Sequence, residues 1–251
     1  MKKDIIKSFD RGLRILEYIK EKDGATVDDI AIEFDISRSS VHRNLNTLIS
    51  RGYVVRERNT NHLGLRFIDL GRYVKMRNEE FEVVEQMTKT LASQTEDRAT
   101  YIVEENGIGI VIATETGDHG ILADIHPGQQ IPLHASAAGK AILAALPQAK
   151  TESILDRHGL QKVTENTITN REKLISEFGE IRQNGYSINR SERIQGINAV
   201  SVAVQYTDER MGAFVISGPT RRMTNERMSS EISETLLSAK QEFELRKKYN
   251  D

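Results

Sequence analysis

Apolar residues recur at helical spacing from the start of the chain to Gly52. Phe9, Gly12, Leu13, Leu16 and Ile19 share one face of a helix predicted from Ser8 to about Lys20, and Asp23-Gly24 stops it. Thr26 caps a short second helix with Val27, Ile30, Ala31 and Phe34 inward. Asp28 and Asp29 suit the positive end of its dipole. After a turn at Asp35-Ile36, Ser37 caps a third helix whose apolar stripe is Val41, Leu45, Leu48 and Ile49. Gly52 stands where a left-handed helix ending is needed. Alternation then replaces helical spacing. Tyr53 to Arg58 and His62 to Leu65 read as two short strands around a polar turn, Asn59-Thr60-Asn61. Three helices followed by a β-hairpin make a winged helix-turn-helix, complete by about residue 68.

From Asp69 to about Ser93 the spacing is helical again. Tyr73, Val74, Phe81, Val84, Met87 and Leu91 form a narrow apolar seam among many charges, with no Pro or Gly after Gly71. That predicts a stiff helical connector, its seam shared between its own domain and a second copy of the chain. Beyond Asp97 the pattern mixes strands and helices. Ala99–Val103 and Gly109–Ala113 flank Asn106-Gly107, the strongest short hairpin signal, and Ile121–Ile125 reads as a strand closed by Pro127-Gly128. Helices are predicted at Ala137–Leu146, Thr151–His158 and Arg171–Asn184, the last capped by Asn170 and stopped by Gly185. Strands follow at Tyr186–Arg190, Ile197–Tyr206 and Met211–Ser217, with Thr207–Arg210 as a hairpin turn, then a helix from about Asn225 to Lys247. The expected chain is multidomain α+β: residues 1–68 a winged helix-turn-helix, 69–93 a linker helix, and 94–251 an α/β domain with an antiparallel sheet and helices on its faces.

Composition adds an asymmetry that the net charge of −2 conceals. Residues 37–66 carry six arginines (38, 43, 51, 56, 58 and 66) against one acid, Glu57, so the remainder of the chain is acidic. A solvated surface helix normally mixes charge signs, and the third helix holds no acid at all, which points to a polyanion. Arg38, Ser39, Ser40, His42, Arg43 and Asn46 are the candidates to enter the major groove of double-stranded DNA, where arginine pairs with guanine and asparagine with adenine. Arg58, Asn59, Asn61 and His62 are the candidate wing contacts to backbone or minor groove. One winged domain holds DNA weakly, so a dimer reading two half-sites is expected.

Cysteine is absent, which excludes disulfides, thiolate catalysis and cysteine-held zinc. No stretch approaches the roughly 18 apolar residues of a membrane span, and the first residues lack the apolar core of a secretion signal, so a cytoplasmic protein without membrane partners is expected. His134 and Ser136 share a strand face, yet no acid is placed to orient the histidine and no G-x-S-x-G elbow is present. The other histidines lack metal-ligand spacing, and Gly107-Ile108-Gly109 lacks the rest of a dinucleotide fingerprint. No enzyme activity, metal or cofactor is expected. Ser136, Ala137, Ala138 and Gly139 point instead to ligand binding: small residues entering a helix leave backbone N–H groups open at its positive end, where an anion fits.

Four stretches resemble the IclR family of transcriptional regulators, over nearly the whole chain. They are Ser8–Leu16, Ser37–Arg43 with Leu48 and Arg51–Val54, Ile131–Leu143, and Gly185–Ile197 with Ile216–Pro219. The resemblance implies a winged helix-turn-helix homodimer that pairs into tetramers, a linker helix, and a GAF-like C-terminal domain binding a small-molecule effector, often an organic or aromatic acid. By correspondence Asn189, Ala199 and Ser217 close the effector pocket behind Ser136, Ala137 and Ala138, and Ile121 and Ala123 join the lining. Ala199 stands where relatives often carry cysteine, Val215 where a serine hydroxyl can sit, and Asn189 where an acid often sits. A less polar pocket than in some relatives is therefore expected. The alternative is a small-molecule sensor or enzyme whose N-terminal module docks a protein partner.

If the third helix reads bases, Arg43→Ala weakens operator binding and relaxes specificity at one base pair by about 1–3 kcal/mol, while Arg58→Ala weakens all sequences alike. Equilibrium binding at fixed salt to the operator and its single-base variants checks this. An unchanged operator affinity for Arg43→Ala refutes the assignment.

Overall fold

The computed structural model describes residues 5–78, 80–120, 125–207 and 210–250. The chain divides into two units, residues 1–78 and 79–251, each with its own core. In the first unit, α1 (Lys7–Glu21), α2 (Val27–Glu33) and α3 (Arg38–Ser50) precede a hairpin of β1 (Val54–Glu57) and β2 (Thr60–Leu63), then α4 (Arg66–Met76). The expected caps form. The Thr26 hydroxyl accepts the Asp29 N–H at 3.2 Å while the Asp29 carboxylate accepts the Thr26 N–H at 2.9 Å, a complete capping box. The Ser37 hydroxyl accepts the Ser40 N–H, and Gly52 takes φ +74° just past α3.

The apolar face expected on α1 is buried only toward its C-terminal end, where Ile19 and half-buried Leu16 meet the core and Ile15 joins them. Ile15 and Ile19 are buried beside Ile30, Val41, Leu45 and Val54, whereas Phe9 is 68% exposed and Leu13 47%. The buried end runs into the Ala25–Asn61 bridge that pins the hairpin to the end of α1. The hairpin tip is also one step earlier than expected. Glu57 pairs with Thr60, leaving Arg58-Asn59 as the turn, with Arg58 in the left-handed region at φ +56°.

The single 69–93 helix is corrected to two. α4 stops at Met76, where the Arg77 N–H bonds the Tyr73 carbonyl and the Asn78 side-chain amide donates to the Val74 carbonyl at 2.7 Å. A short polar side chain that satisfies the last carbonyls ends the helix without Pro or Gly. The next helix, α5 (Glu80–Thr95), belongs to the second unit, and the apolar seam divides with it. Phe81, Val84, Met87 and Leu91 are buried in that unit's core, while Tyr73 and Val74 on α4 are exposed.

The second unit is one six-stranded antiparallel sheet of order β5-β4-β3-β8-β7-β6. Its strands are β3 (Arg98–Glu105), β4 (Ile108–Thr116), β5 (Gln130–Ile131), β6 (Ser187–Arg190), β7 (Ile197–Gln205) and β8 (Met211–Pro219). Asn106 and Gly107 both take positive φ, +55° and +85°, the geometry of the tight hairpin their dipeptide announces. The strand expected at 121–125 lies outside the described residues except for Ile125, which is not in a strand; the described edge strand is β5. Residues 208 and 209 of the expected turn also lie outside the described residues.

Alternation gives the sheet two buried faces. Tyr101, Val202, Phe214 and Ile216 pack with α5 and the C-terminal helices, which are α9 (Asn225–Arg227), one π-turn (Met228–Ile232) and α10 (Ser233–Asn250). Ile102, Ala213 and Val215 pack with α6 (Ala137–Ala145), α7 (Gln148–His158) and α8 (Arg171–Asn184). Fully buried Asp97 locks one end of this arrangement. It accepts from Arg222 Nε at 3.0 Å and Arg227 Nη1 at 2.5 Å, and Arg227 Nη2 also reaches the Thr95 carbonyl at the end of α5. Among the described residues no helix is long and apolar enough to cross a membrane.

Candidate functional site

In the first unit α3 exposes Arg38, Ser39, His42, Arg43 and Asn46, with Ser40 half-buried at its base. Arg38 does not project alone. Its guanidinium forks onto Asp28 of α2, Nε at 2.8 Å and Nη2 at 3.0 Å. Both side chains are more than half exposed, so the pair contributes about 0–1 kcal/mol, and exchanging Asp28 for a phosphate or guanine costs little. Arg43 Nη2 donates to the Ser40 hydroxyl at 3.2 Å. Arg58 and Asn59 are exposed at the hairpin tip, and His62 is half-buried with its ring against Gly24.

Asn61 corrects the expected wing. It has no exposed surface; its amide donates to the Ala25 carbonyl at 2.9 Å and its carbonyl accepts from Arg56 Nε at 3.2 Å. It fastens the hairpin to the helices and cannot face DNA. Nothing local marks this, because the partner is 36 positions away.

In the second unit a register row crosses four strands: Arg98 on β3 lies opposite Ser217 on β8, Ser217 opposite Ala199 on β7, and Ala199 opposite Asn189 on β6. Residues two apart on a strand share a face, so Thr100 and Val215 form the next row and Ile102 lies beyond. These rows line a cavity of about 60 Å³ whose other walls are Ser136, Ala137 and Ala138 at the start of α6, with Ile125, Ile131, Arg193, Ile194, Ile197 and Gly218. Expected pocket residues Ser136, Ala137, Ala138, Asn189, Ala199 and Ser217 are thus brought together. Ile121 and Ala123 lie outside the described residues.

The polar groups divide into those already spent and those left open. The Ser136 hydroxyl caps α6 by accepting the Gly139 N–H at 3.1 Å, and the Asn189 side chain donates to the Ala135 carbonyl at 2.8 Å and accepts the Glu192 N–H at 3.1 Å. Both are frame. Ala137 and Ala138, in the first turn of α6, have backbone N–H groups with no helical partner, and they present the positive helix end to the cavity. Gly139 lets α6 approach so closely: a Cβ there would lie 2.0 Å from the Leu133 carbonyl oxygen.

The expected low polarity of the pocket is overturned by two arginines that no pattern singled out. Arg98 is 4% exposed, and burial holds its pKa below the ordinary arginine value. Arg193 is held lower too, chiefly by burial and secondly by the Arg98 charge. The signal for Arg98 was available as a charge at the start of a strand, but its inward face depends on the register. Among the described lining residues there is no Asp or Glu. His134 and Ser136 form no nucleophile pair: the histidine Nε2 lies 2.9 Å from the Gln161 carbonyl, while the serine is a helix cap.

A helix-turn-helix unit with a hairpin wing, followed by a sheet domain with a cavity on its face, defines a ligand-responsive DNA-binding protein. Residues 8–58 match the IclR helix-turn-helix domain and residues 76–244 match the bacterial transcriptional regulator IclR C-terminal domain. The chain belongs to the IclR family of transcriptional regulators. It is 30% identical over 242 residues to the HTH-type transcriptional regulator BhcR of Paracoccus denitrificans, covering 95% of this chain and 86% of that one. The Thermotoga maritima IclR crystal structure superimposes with a TM-score of 0.75 at 26% identity, covering 96% of this chain and 99% of the other. An IclR homologue from Microbacterium hydrocarbonoxydans, crystallised with 4-hydroxybenzoate, shares the fold at a TM-score of 0.76 and 18% identity, covering 95% and 99%. The chain is therefore an IclR-type DNA-binding regulator with an effector-binding C-terminal domain, and its relatives are named as regulators and repressors, not enzymes.

Asn61→Ala tests the corrected wing. Losing both of its bonds costs about 1–3 kcal/mol of stability in the first unit, read as a lower melting temperature. Operator affinity per folded molecule stays unchanged; a loss of affinity without a loss of stability puts Asn61 back at the DNA.

Proposed function

We propose that the effector of this regulator is a compact carboxylic acid held at the start of α6, and that its occupancy alters how a dimer reads its operator. The observation that carries the reading is the open pair of amides at Ala137 and Ala138, facing a cavity with arginines and no acid among its described lining. Such a helix start binds anions without further machinery. The space within the described lining is about 60 Å³, which suits a compact acid. The acid complex of the Microbacterium relative supports the same chemistry with a larger ligand.

On the DNA side, Ser39, His42, Arg43 and Asn46 are proposed to read the major groove, with Arg38 released from Asp28 on binding and Arg58 and Asn59 at the backbone. Their exposure on one acid-free helix and its wing supports this. Leu70, Tyr73 and Val74 on α4, and Phe9 and Leu13 on α1, are exposed apolar side chains whose burial against a second copy would make the dimer. Pairing of dimers into tetramers and a cytoplasmic location follow from the family reading.

The test starts from host DNA fragments retained by the full chain. On a retained fragment the affinity is expected to fall steeply with salt, by roughly 10³-fold or more between 50 and 200 mM for six or more phosphate contacts. A salt-insensitive interaction would contradict operator binding through these arginines.

A further inference from the structure

One loop of the second unit is fixed far beyond what its length requires. Ser191 holds a left-handed φ of +59°, and its carbonyl accepts the Thr164 hydroxyl at 2.8 Å. The Glu192 carbonyl accepts the hydroxyls of Thr167 at 2.7 Å and Thr164 at 3.0 Å, and its N–H donates to Asn189 Oδ1. The Glu192 side chain points inward. Both carboxylate oxygens meet the Lys140 ammonium, at 2.7 and 2.8 Å, and Glu177 takes the same ammonium at 2.6 Å. Lys140 has no exposed surface.

A buried lysine with two carboxylates is an expensive way to pin a loop if apolar packing would serve. What it secures is the relation between two elements. Lys140 lies on α6, one turn after the open amides of Ala137 and Ala138, and Glu192 immediately precedes Arg193. Arg193 lines the cavity and makes no hydrogen bond or ion pair among the described residues. The nearest carboxylate in sequence, that of Glu192, is committed to Lys140, and no Asp or Glu stands among the described lining residues, which leaves the Arg193 guanidinium available to a ligand's carboxylate. An arginine fork accepts a carboxylate in bidentate fashion, with a geometry that an amide cannot match.

We propose that Arg193 is the specificity-determining residue for an acidic effector, and that the buried Lys140–Glu192 ion pair is its positioning device, holding the guanidinium and the α6 amides in fixed relation across the cavity. This rests on the acid-binding reading of the cavity and adds the residue that enforces it. A carboxylate in the cavity receives charge-assisted donors from Arg193 and the positive helix end together; the neutral amide of the same shape keeps the apolar contacts and loses that match.

The test is calorimetric titration of the full chain with propionate against propionamide and lactate against lactamide. The wild-type chain is expected to prefer the acid in at least one pair. Arg193→Met lowers the affinity for that acid by roughly 10- to 100-fold and leaves amide binding unchanged; Arg193→Lys, which keeps the charge without the fork, recovers part of the loss. Glu192→Gln, still the size of the native side chain and leaving Glu177 on Lys140, lowers acid binding about tenfold and not amide binding. Retention of the acid preference by Arg193→Met overturns the proposal while the acid-binding reading stands. Equal losses for acid and amide in Glu192→Gln overturn the positioning role. A wild-type chain with no acid preference, through equal binding or none, overturns the acid reading and this proposal with it.

Discussion

An ammonium group sealed from water is tolerable only where carboxylates meet it, and Lys140 meets two. Removing one partner of such a buried pair costs about 3–5 kcal/mol, because the remaining charge is left without compensation. The Lys140 cluster therefore ties together three things that are distant in sequence: α6, α8 through Glu177, and the loop carrying Glu192 and Arg193. The cavity lies where α6 and that loop meet the sheet, and α8 braces them from outside its lining. Burial keeps the Glu192 carboxyl above its ordinary pKa, with the Lys140 charge and hydrogen bonds pulling the other way. A buried pair of this kind acts more as a constraint on geometry than as a source of stability.

The same sheet connects the cavity to α5, the helix that follows the first unit in the chain. Along β3 the side chains alternate, so Arg98 and Thr100 line the cavity while Ala99 and Tyr101 pack on the opposite face with α5. Asp97 stands directly before Arg98 and holds the end of α5 through Arg227, which bonds both the Asp97 carboxylate and the Thr95 carbonyl. Gly218 lies between: it lines the cavity, and a Cβ on it would sit 2.7 Å from Asp97 Oδ1. On the proposed reading, an acid in this cavity would sit on the sheet face lined by Arg98, whose neighbour Asp97 anchors the end of α5. For the proposed switch, coupling of about 1–3 kcal/mol would be enough for a several-fold to hundredfold effect on DNA affinity.

Local signals carried the architecture far. Capping at Thr26 and Ser37, the left-handed glycines, the Asn106-Gly107 turn and the Asn170-to-Gly185 frame of α8 are properties of a few adjacent residues, and each element forms where they stand. What was illegible depends on distance. Asn61 reads as a loop polar residue until Ala25 comes to it, and the exposure of Phe9 and Leu13 on α1 depends on which elements pack against that helix. The break of the linker at Asn78 follows from one side chain folding back on a carbonyl, a competition that periodicity does not register. In the cavity, small residues at the start of α6 announced the helix end, and the resemblance supplied Asn189, Ala199 and Ser217. Arg98 and Arg193 escaped because their inward direction is set by strand register and by a loop held from four sides.

Occupancy of this cavity is proposed to govern operator binding. The direct measurement is operator affinity at fixed salt, with and without a saturating carboxylate. It would be made on the wild-type chain and on Ala199→Phe, whose ring fills the cavity floor. A several-fold to roughly hundredfold shift is expected in the wild-type chain and none in Ala199→Phe. An equal shift in both, or no shift in a wild-type chain whose cavity is demonstrably occupied, would contradict it.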